Sequence, residues 1–209
     1  VAQMYGTDLA AVTESTGSVP LSIDYKGTTV LVGPYEAPLY YVSPGQLVVQ
    51  LPSELPPNRT YPILVSANGA LTIPDQIDIV AVQPGVAAFF DGKIIAQHSN
   101  YVLVDSTNPA KRGEFLIMYL VGLGGTNQTV PSGQPSPGTL PLPVLLVPPT
   151  VTVDGAQAEV VFSGLTPFGV GLYQINFKVP DDARLNTPLE VLVKQGAYTA
   201  NVTTLTVVP

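Results

Sequence analysis

The sequence predicts an all-β chain built as two tandem immunoglobulin-like β-sandwich domains. Three observations carry that expectation: chain breakers along the whole length, short β-branched runs between them, and an internal repeat. Twenty-two Pro and nineteen Gly are scattered through the 209 residues. A Pro inside a helix costs about 3 kcal/mol and a Gly about 1 kcal/mol, so long helices are not expected.

The β-branched and aromatic runs, in order, cover residues 47–51, 61–66, 76–82, 115–120, 151–153, 158–162, 173–179, 189–193 and 202–208. Several alternate, among them Val202-Thr-Thr-Leu-Thr-Val-Val208 and Gln174-Ile-Asn-Phe-Lys-Val179. Alternation at a period of two marks a strand with one buried and one wet face. Many short strands parted by turn residues are the pattern of a sandwich.

The repeat has a nearly constant offset. Asp24-Tyr-Lys-Gly27 matches Val153-Asp-Gly155, and Tyr41-Val-Ser-Pro-Gly-Gln46 matches Gly169-Val-Gly-Leu-Tyr-Gln174. Gly27 and Gly155, Gln46 and Gln174, and Pro52 and Pro180 are each 128 residues apart. Val65-Ser-Ala-Asn-Gly69 aligns with Val193-Lys-Gln-Gly196 at an offset of 127, and Met4-Tyr5 with Met118-Tyr119 at 114. Two copies of one strand order explain these matches, and the extra fourteen residues of the second copy are assigned to residues 122–149. The first domain is expected over residues 1–84 and the second over 85–209, divided near Gln83-Pro-Gly85. The second opens with a hairpin turning at Asp91-Gly92 and strands at 94–97 and 101–104. Residues 105–113 form a loop by composition, and the Pro- and Gly-rich stretch 122–149 a long exposed one.

Composition narrows the function. Hydrophobic residues make up 45%, enough for a core, while charged residues make up 11%, against about 25% in an ordinary domain. The net charge of −7, with eight Lys plus Arg, leaves no basic stripe for nucleic acid. No Cys is present, which excludes disulfides, thiolate nucleophiles and Cys-based metal sites. The longest apolar stretch, residues 140–153, is interrupted by Pro141, Pro143, Pro148 and Pro149, so no membrane insertion is expected. The start at Val1 inside an apolar run reads as a fragment or mature form, with any export signal upstream.

Four motifs add a resemblance. Tyr41-Val-Ser-Pro-Gly-Gln46 with Val49-Gln-Leu-Pro52, Asn108-Pro-Ala-Lys-Arg-Gly113, Met118-Tyr-Leu-Val-Gly-Leu-Gly124 and Gly171-Leu-Tyr-Gln-Ile-Asn-Phe-Lys-Val-Pro180 occur in that order. Together they resemble the uncharacterised C-terminal domain of exported proteins of Solibacter and other Acidobacteria, in the style of immunoglobulin-like and IPT/TIG-like sandwiches. The resemblance covers nearly the whole chain. It implies an extracellular or cell-surface bacterial module with no assigned activity and no catalytic residues to carry over. The chain departs from it at Leu47-Val48, where the second copy has Ile175-Asn176.

Candidate sites are few. His98 is the only histidine; without a Gly-x-Ser-x-Gly elbow it reads as a solvent-exposed loop residue rather than a triad base. Asp181-Asp182, and Asp75 with Asp78, read as turn and strand-end residues, because no calcium loop of alternating Asp is present. The sequons at Asn58, Asn127 and Asn201 carry no weight in a bacterial chain. Gly122-Leu-Gly-Gly125 lacks the Lys-Ser/Thr of a phosphate loop. Among ten tyrosines and no tryptophan, Tyr40 and Tyr41 are the possible ligand contacts, being adjacent on a strand with rings toward opposite faces. The expectation is a non-catalytic extracellular module, a spacer, adhesion or protein-interaction domain, that uses no cofactor. Its partner would be a protein or a matrix polysaccharide. The alternative is a carbohydrate-binding module using exposed tyrosines.

Overall fold

The computed structural model describes all 209 residues, and the chain is all-β, with no helix. The first strands are β1 (Ala2–Tyr5), β2 (Glu14–Ser15), β3 (Asp24–Tyr25), β4 (Thr28–Val32), β5 (Tyr35–Glu36), β6 (Leu39–Val42), β7 (Gln46–Val49), β8 (Arg59–Ala67), β9 (Ala70–Leu71) and β10 (Asp75–Ile79). They are followed by β11 (Gly85–Val86), β12 (Ala96–His98), β13 (Ala110–Lys111), β14 (Phe115–Val121), β15 (Thr150–Val153), β16 (Ala156–Ala158), β17 (Val160–Leu165) and β18 (Tyr173–Lys178). The last three are β19 (Pro188–Gln195), β20 (Tyr198–Thr199) and β21 (Thr203–Val208).

Two compact units emerge. Unit 1 comprises Val1–Ala81, Thr129–Leu140 and Pro167–Gly171; unit 2 comprises Val82–Gln128, Pro141–Thr166 and Leu172–Pro209. In unit 1, one sheet runs β1-β7-β6-β2 and the other β10-β8-β4-β3, with β5 on β4 and β9 on β8. Its core draws on both sheets: Val30, Val32 and Val65 from one, Leu39, Leu47 and Val49 from the other. In unit 2, one sheet runs β11-β14-β18-β17 with β12 beside β14, and the other β13-β21-β19-β15-β16 with β20 on β19. Leu116, Met118, Ile175 and Phe177 from the first meet Val151, Val191 and Leu205 from the second. The alternating burial of β21 and β19 follows their alternating sequences, because successive side chains leave a strand on opposite faces.

Strand registers correspond between the units. Met4 pairs with Leu47 in unit 1, and Met118 with Ile175 in unit 2. Val30 pairs with Val65, and Val151 with Val193. Each of β6 and β17 has one extra residue against its neighbour, Tyr40 between Leu39 and Tyr41, and Val161 between Val160 and Phe162. Tyr40 and Val161 lie 121 residues apart. The offset thus steps from 114 to 121 between β1 and β4, and from 121 to 128 between β6 and β7.

Three expectations need correction. On the offsets of the paired strands, the expected fourteen residues do not all lie in 122–149: seven fall in the connection between β17 and β18. The turn Asp24–Gly27 is not the partner of Val153–Gly155 either. The strand before the turn, β15, pairs with β19, whereas in unit 1 the strand after the turn, β4, pairs with β8. The stretch 122–149 is also not one exposed loop of the second domain. Residues Thr129–Leu140 belong to unit 1, with Gly133 and Ser136 buried. The cause is polar: Gly133 N donates to Gln50 Oε1 at 2.7 Å and its carbonyl accepts from Leu21 N at 2.8 Å. Ser132 N and Oγ donate to the Glu54 carboxylate at 3.0 and 2.6 Å. Burial alone would raise the Glu54 pKa, but the Ser132 hydroxyl and amide, with Ser53, hold it below the usual range. Ser132→Ala is expected to cost about 1 kcal/mol and to raise amide exchange in residues 129–136. Unchanged exchange there would rule the Ser132 contact out as an anchor.

Candidate functional site

The chemically richest surface lies in unit 2, around the lone histidine. A basin of about 560 Å³ is bounded by His98, Asn100, Asn108, Lys111, Glu114 and Phe115, among others. Its floor is made by β12 lying on β14, with His98 opposite Leu116. His98 is therefore a strand-end residue, its side chain only 19% exposed, and not the solvent-exposed loop residue expected. Its Nδ1 lies 3.0 Å from Glu114 Oε2, and its Nε2 lies 3.1 Å from the Asn108 carbonyl. The loop that offers this carbonyl is folded by Asp105, whose Oδ1 accepts from Thr107 N at 2.7 Å and Asn108 N at 2.8 Å. Asp105 is held below its ordinary pKa by these contacts, the Thr107 hydroxyl foremost. The other Glu114 oxygen accepts from Lys111 N.

Both ring nitrogens of His98 thus face acceptors. A neutral imidazole carries one N–H and satisfies one of them; the protonated ring satisfies both. Burial, the largest single influence, lowers the His98 pKa, but the Asn108 carbonyl and Glu114 together outweigh it and the net shift is upward. A pKa raised by folding stabilises the fold below the unfolded value and loses that contribution as pH rises through the folded value. The urea midpoint of the wild type should therefore exceed that of His98→Ala most at pH 5, and the gap should narrow as pH climbs past the ordinary histidine range. A gap that widens toward pH 8 contradicts the clamp.

The expected ligand tyrosines lie in unit 1, on β6. Both Tyr40 and Tyr41 are half-buried. Tyr40 is the bulged residue, and its hydroxyl donates to the Val170 carbonyl. Burial pushes its pKa up to about 12. Tyr173 in unit 2 behaves alike, donating to the Gly124 carbonyl at 2.5 Å. Tyr5 is exposed, and its hydroxyl donates to Gln3 Oε1 at 2.7 Å. Tyr40→Phe should cost about 1 kcal/mol by leaving the Val170 carbonyl unpaired; a change under a few tenths would show that bond to be idle.

The carboxylates do not converge. Asp181 pairs with Lys178 at 2.8 Å, Asp75 Oδ1 accepts from Gln76 N at 2.7 Å, and Asp78 accepts from the Thr60 hydroxyl. No group of three or more His, Asp or Glu side chains is set to hold a metal ion. The Asn201 sequon side chain is spent on Val86, accepting from its N–H at 2.7 Å and donating to its carbonyl at 3.0 Å.

No family model, curated protein or solved structure matches the chain. Reading the sequence missed the His98–Glu114 pair and the Glu54–Ser132 lock. The first carried a faint signal, a carboxylate sixteen residues from the only histidine, at the start of the expected strand run 115–120. The second carried none, since Glu54 and Ser132 are 78 residues apart in different expected domains.

Proposed function

We propose that the chain is a non-catalytic extracellular module, two immunoglobulin-like β-sandwiches in tandem, that serves a bacterial secreted or cell-surface protein as spacer, adhesion or protein-interaction domain. Supporting the tandem reading are the corresponding registers, Met4 on Leu47 with Met118 on Ile175, and the bulges at Tyr40 and Val161. The observation that carries the non-catalytic reading is the state of His98. Both ring nitrogens are committed to fixed acceptors, and both oxygens of its partner Glu114 are engaged as well, Oε2 with the ring and Oε1 accepting from Lys111 N. A general base needs a free lone pair aimed at substrate, and both nitrogens of this ring face fixed protein groups instead. The basin then serves to tie the 105–109 loop to β12.

The test compares wild type and His98→Ala on panels of glycoside, ester and peptide substrates, beside retention on immobilised matrix proteins and polysaccharides. Retention without turnover supports the module. Turnover by the wild type that disappears in His98→Ala overturns it.

A further inference from the structure

The two bulged strands differ in one respect that points to a binding slot. In unit 1, β2 lies antiparallel along the outer edge of β6, Glu14 opposite Val42 and Ser15 opposite Tyr41. The next residue finishes the edge at the bulge: Thr16 N donates to the Tyr40 carbonyl at 2.9 Å, and Thr16 Oγ1 to the Leu39 carbonyl at 2.8 Å. No backbone acceptor of that bulge faces solvent unpaired.

In unit 2, the outer edge of β17 is covered only in part. Val144 bridges Gly164, Leu145 N donates to the Ser163 carbonyl at 3.0 Å, and Leu165 N to the Pro143 carbonyl at 3.0 Å. Then the covering segment turns away, because Leu146 N bonds the Gly125 carbonyl and the Val147 carbonyl accepts from buried Gln195. On the side away from β18, the backbone of Val160, Val161 and Phe162 pairs with nothing in the chain. Beside it opens a groove of about 420 Å³ bounded by Val144, Pro148, Pro149, Val160, Val161 and Phe162, among others. Val161 is 54% exposed and Val144 39% exposed. The segment 160–165 contains neither charge nor Pro, so it lacks the usual protection of an open edge.

We propose that residues 160–162 form a strand-addition slot for an extended, Ser/Thr-bearing segment of a partner polypeptide, entering antiparallel to β17 in the line begun by residues 143–145. This rests on the reading of the two units as copies of one sandwich, with β2 as the template for the occupant. The template fixes the chemistry: a backbone N–H for the Val161 carbonyl, and a hydroxyl for the Val160 carbonyl, as Thr16 supplies at Tyr40 and Leu39. Main-chain bonds give such a contact its affinity, and the neighbouring apolar groove gives it selectivity. A second copy of this chain is a poor occupant. Its own segment of this type is engaged on β6, and its exposed edge β10 carries Asp75 and Asp78, charges that oppose pairing.

The test uses the intact chain and a synthetic peptide with the sequence of residues 12–18, followed by backbone amide shifts. Saturable changes confined to residues 143–149 and 159–163 are expected at millimolar peptide. They should weaken about tenfold or more in Val161→Lys, whose exposed side chain leaves the core untouched, and also with the peptide altered Thr16→Val. Shifts elsewhere, no saturation, or an affinity indifferent to Val161→Lys overturn the slot. Self-association of the chain that Val161→Lys abolishes overturns the choice of occupant. Amide contacts between β17 and β18 that depart from the β6–β7 register would instead sink the copy reading beneath it.

Discussion

Phe177→Ala is expected to lower the unfolding free energy of unit 2 by about 3–5 kcal/mol, the cost of emptying a buried aromatic site. Phe177 is fully buried on β18, opposite Leu116 on one side and Val160 on the other. It belongs to the cluster that includes Val151, Val191 and Leu205 of the facing sheet. Strands hydrogen-bonded on both sides cannot shift to close the hole. Because the chain has two units, one global transition is not assured. The loss should therefore be read from urea-dependent amide signals of β18 and β19, with those of β4 and β8 as internal reference. A loss below 1 kcal/mol in unit 2 would mean that the ring is not held between the two sheets.

A second large effect is expected at Gly122. Its φ of +75° lies in the left-handed region, where a side chain costs about 1–2 kcal/mol. A Cβ there would also stand 2.0 Å from the Gln83 carbonyl oxygen. That carbonyl belongs to the strand entry that donates Gln83 N to the Gly122 carbonyl at 2.8 Å. Overpacking against backbone adds about 1–3 kcal/mol, since no flexible side chain can yield. Gly122→Ala should thus cost about 2–5 kcal/mol, well above Gly92→Ala. Gly92 has a similar φ of +82° but nothing near its would-be Cβ. Equal losses at the two glycines would assign the whole effect to dihedral strain and deny the contact with Gln83.

The two cases illustrate what the sequence reveals and what it hides. Phe177 was legible, because the alternation of Gln174-Ile-Asn-Phe-Lys-Val179 places it on the inward face of a strand. The run 115–120 likewise became β14, and 202–208 contains β21. The run 158–162 was less legible: it straddles the end of β16 and the start of β17, with the break at the single residue Glu159. Strand β4 (Thr28–Val32) was not recognised, since its Thr-Thr start blends with the preceding turn residues. Gly122 was read as part of the Met118–Gly124 motif, of the stretch 122–149 and of a failed phosphate loop. Its real constraint is a backbone approach from residue 83, which no local pattern encodes.

The candidate site was legible only as a residue, not as a geometry. Singling out His98 needed nothing more than counting. Its partners are Glu114, just before the strand beside it, and a backbone carbonyl at Asn108, and a carbonyl has no sequence signature. The same limit applies to Tyr40, whose hydroxyl meets the Val170 carbonyl 130 residues away. The β17 slot was invisible for a further reason. It is defined by hydrogen bonds that unit 1 makes and unit 2 lacks, so it appears only when the two registers are laid side by side.

The absence of Cys makes register directly measurable, because any disulfide formed must join introduced residues. Leu31 stands opposite Leu64 in unit 1, and Thr152 opposite Leu192 in unit 2. Facing Cα atoms in antiparallel strands lie about 4.5–5.5 Å apart, within the span of a disulfide. Under mild oxidation, Leu31→Cys with Leu64→Cys and Thr152→Cys with Leu192→Cys should both close. The shifted pairs Leu31→Cys with Val65→Cys and Thr152→Cys with Val193→Cys should stay reduced, their side chains pointing to opposite faces. If a shifted pair closes while its facing pair stays open in either unit, the two units are not built on one common register.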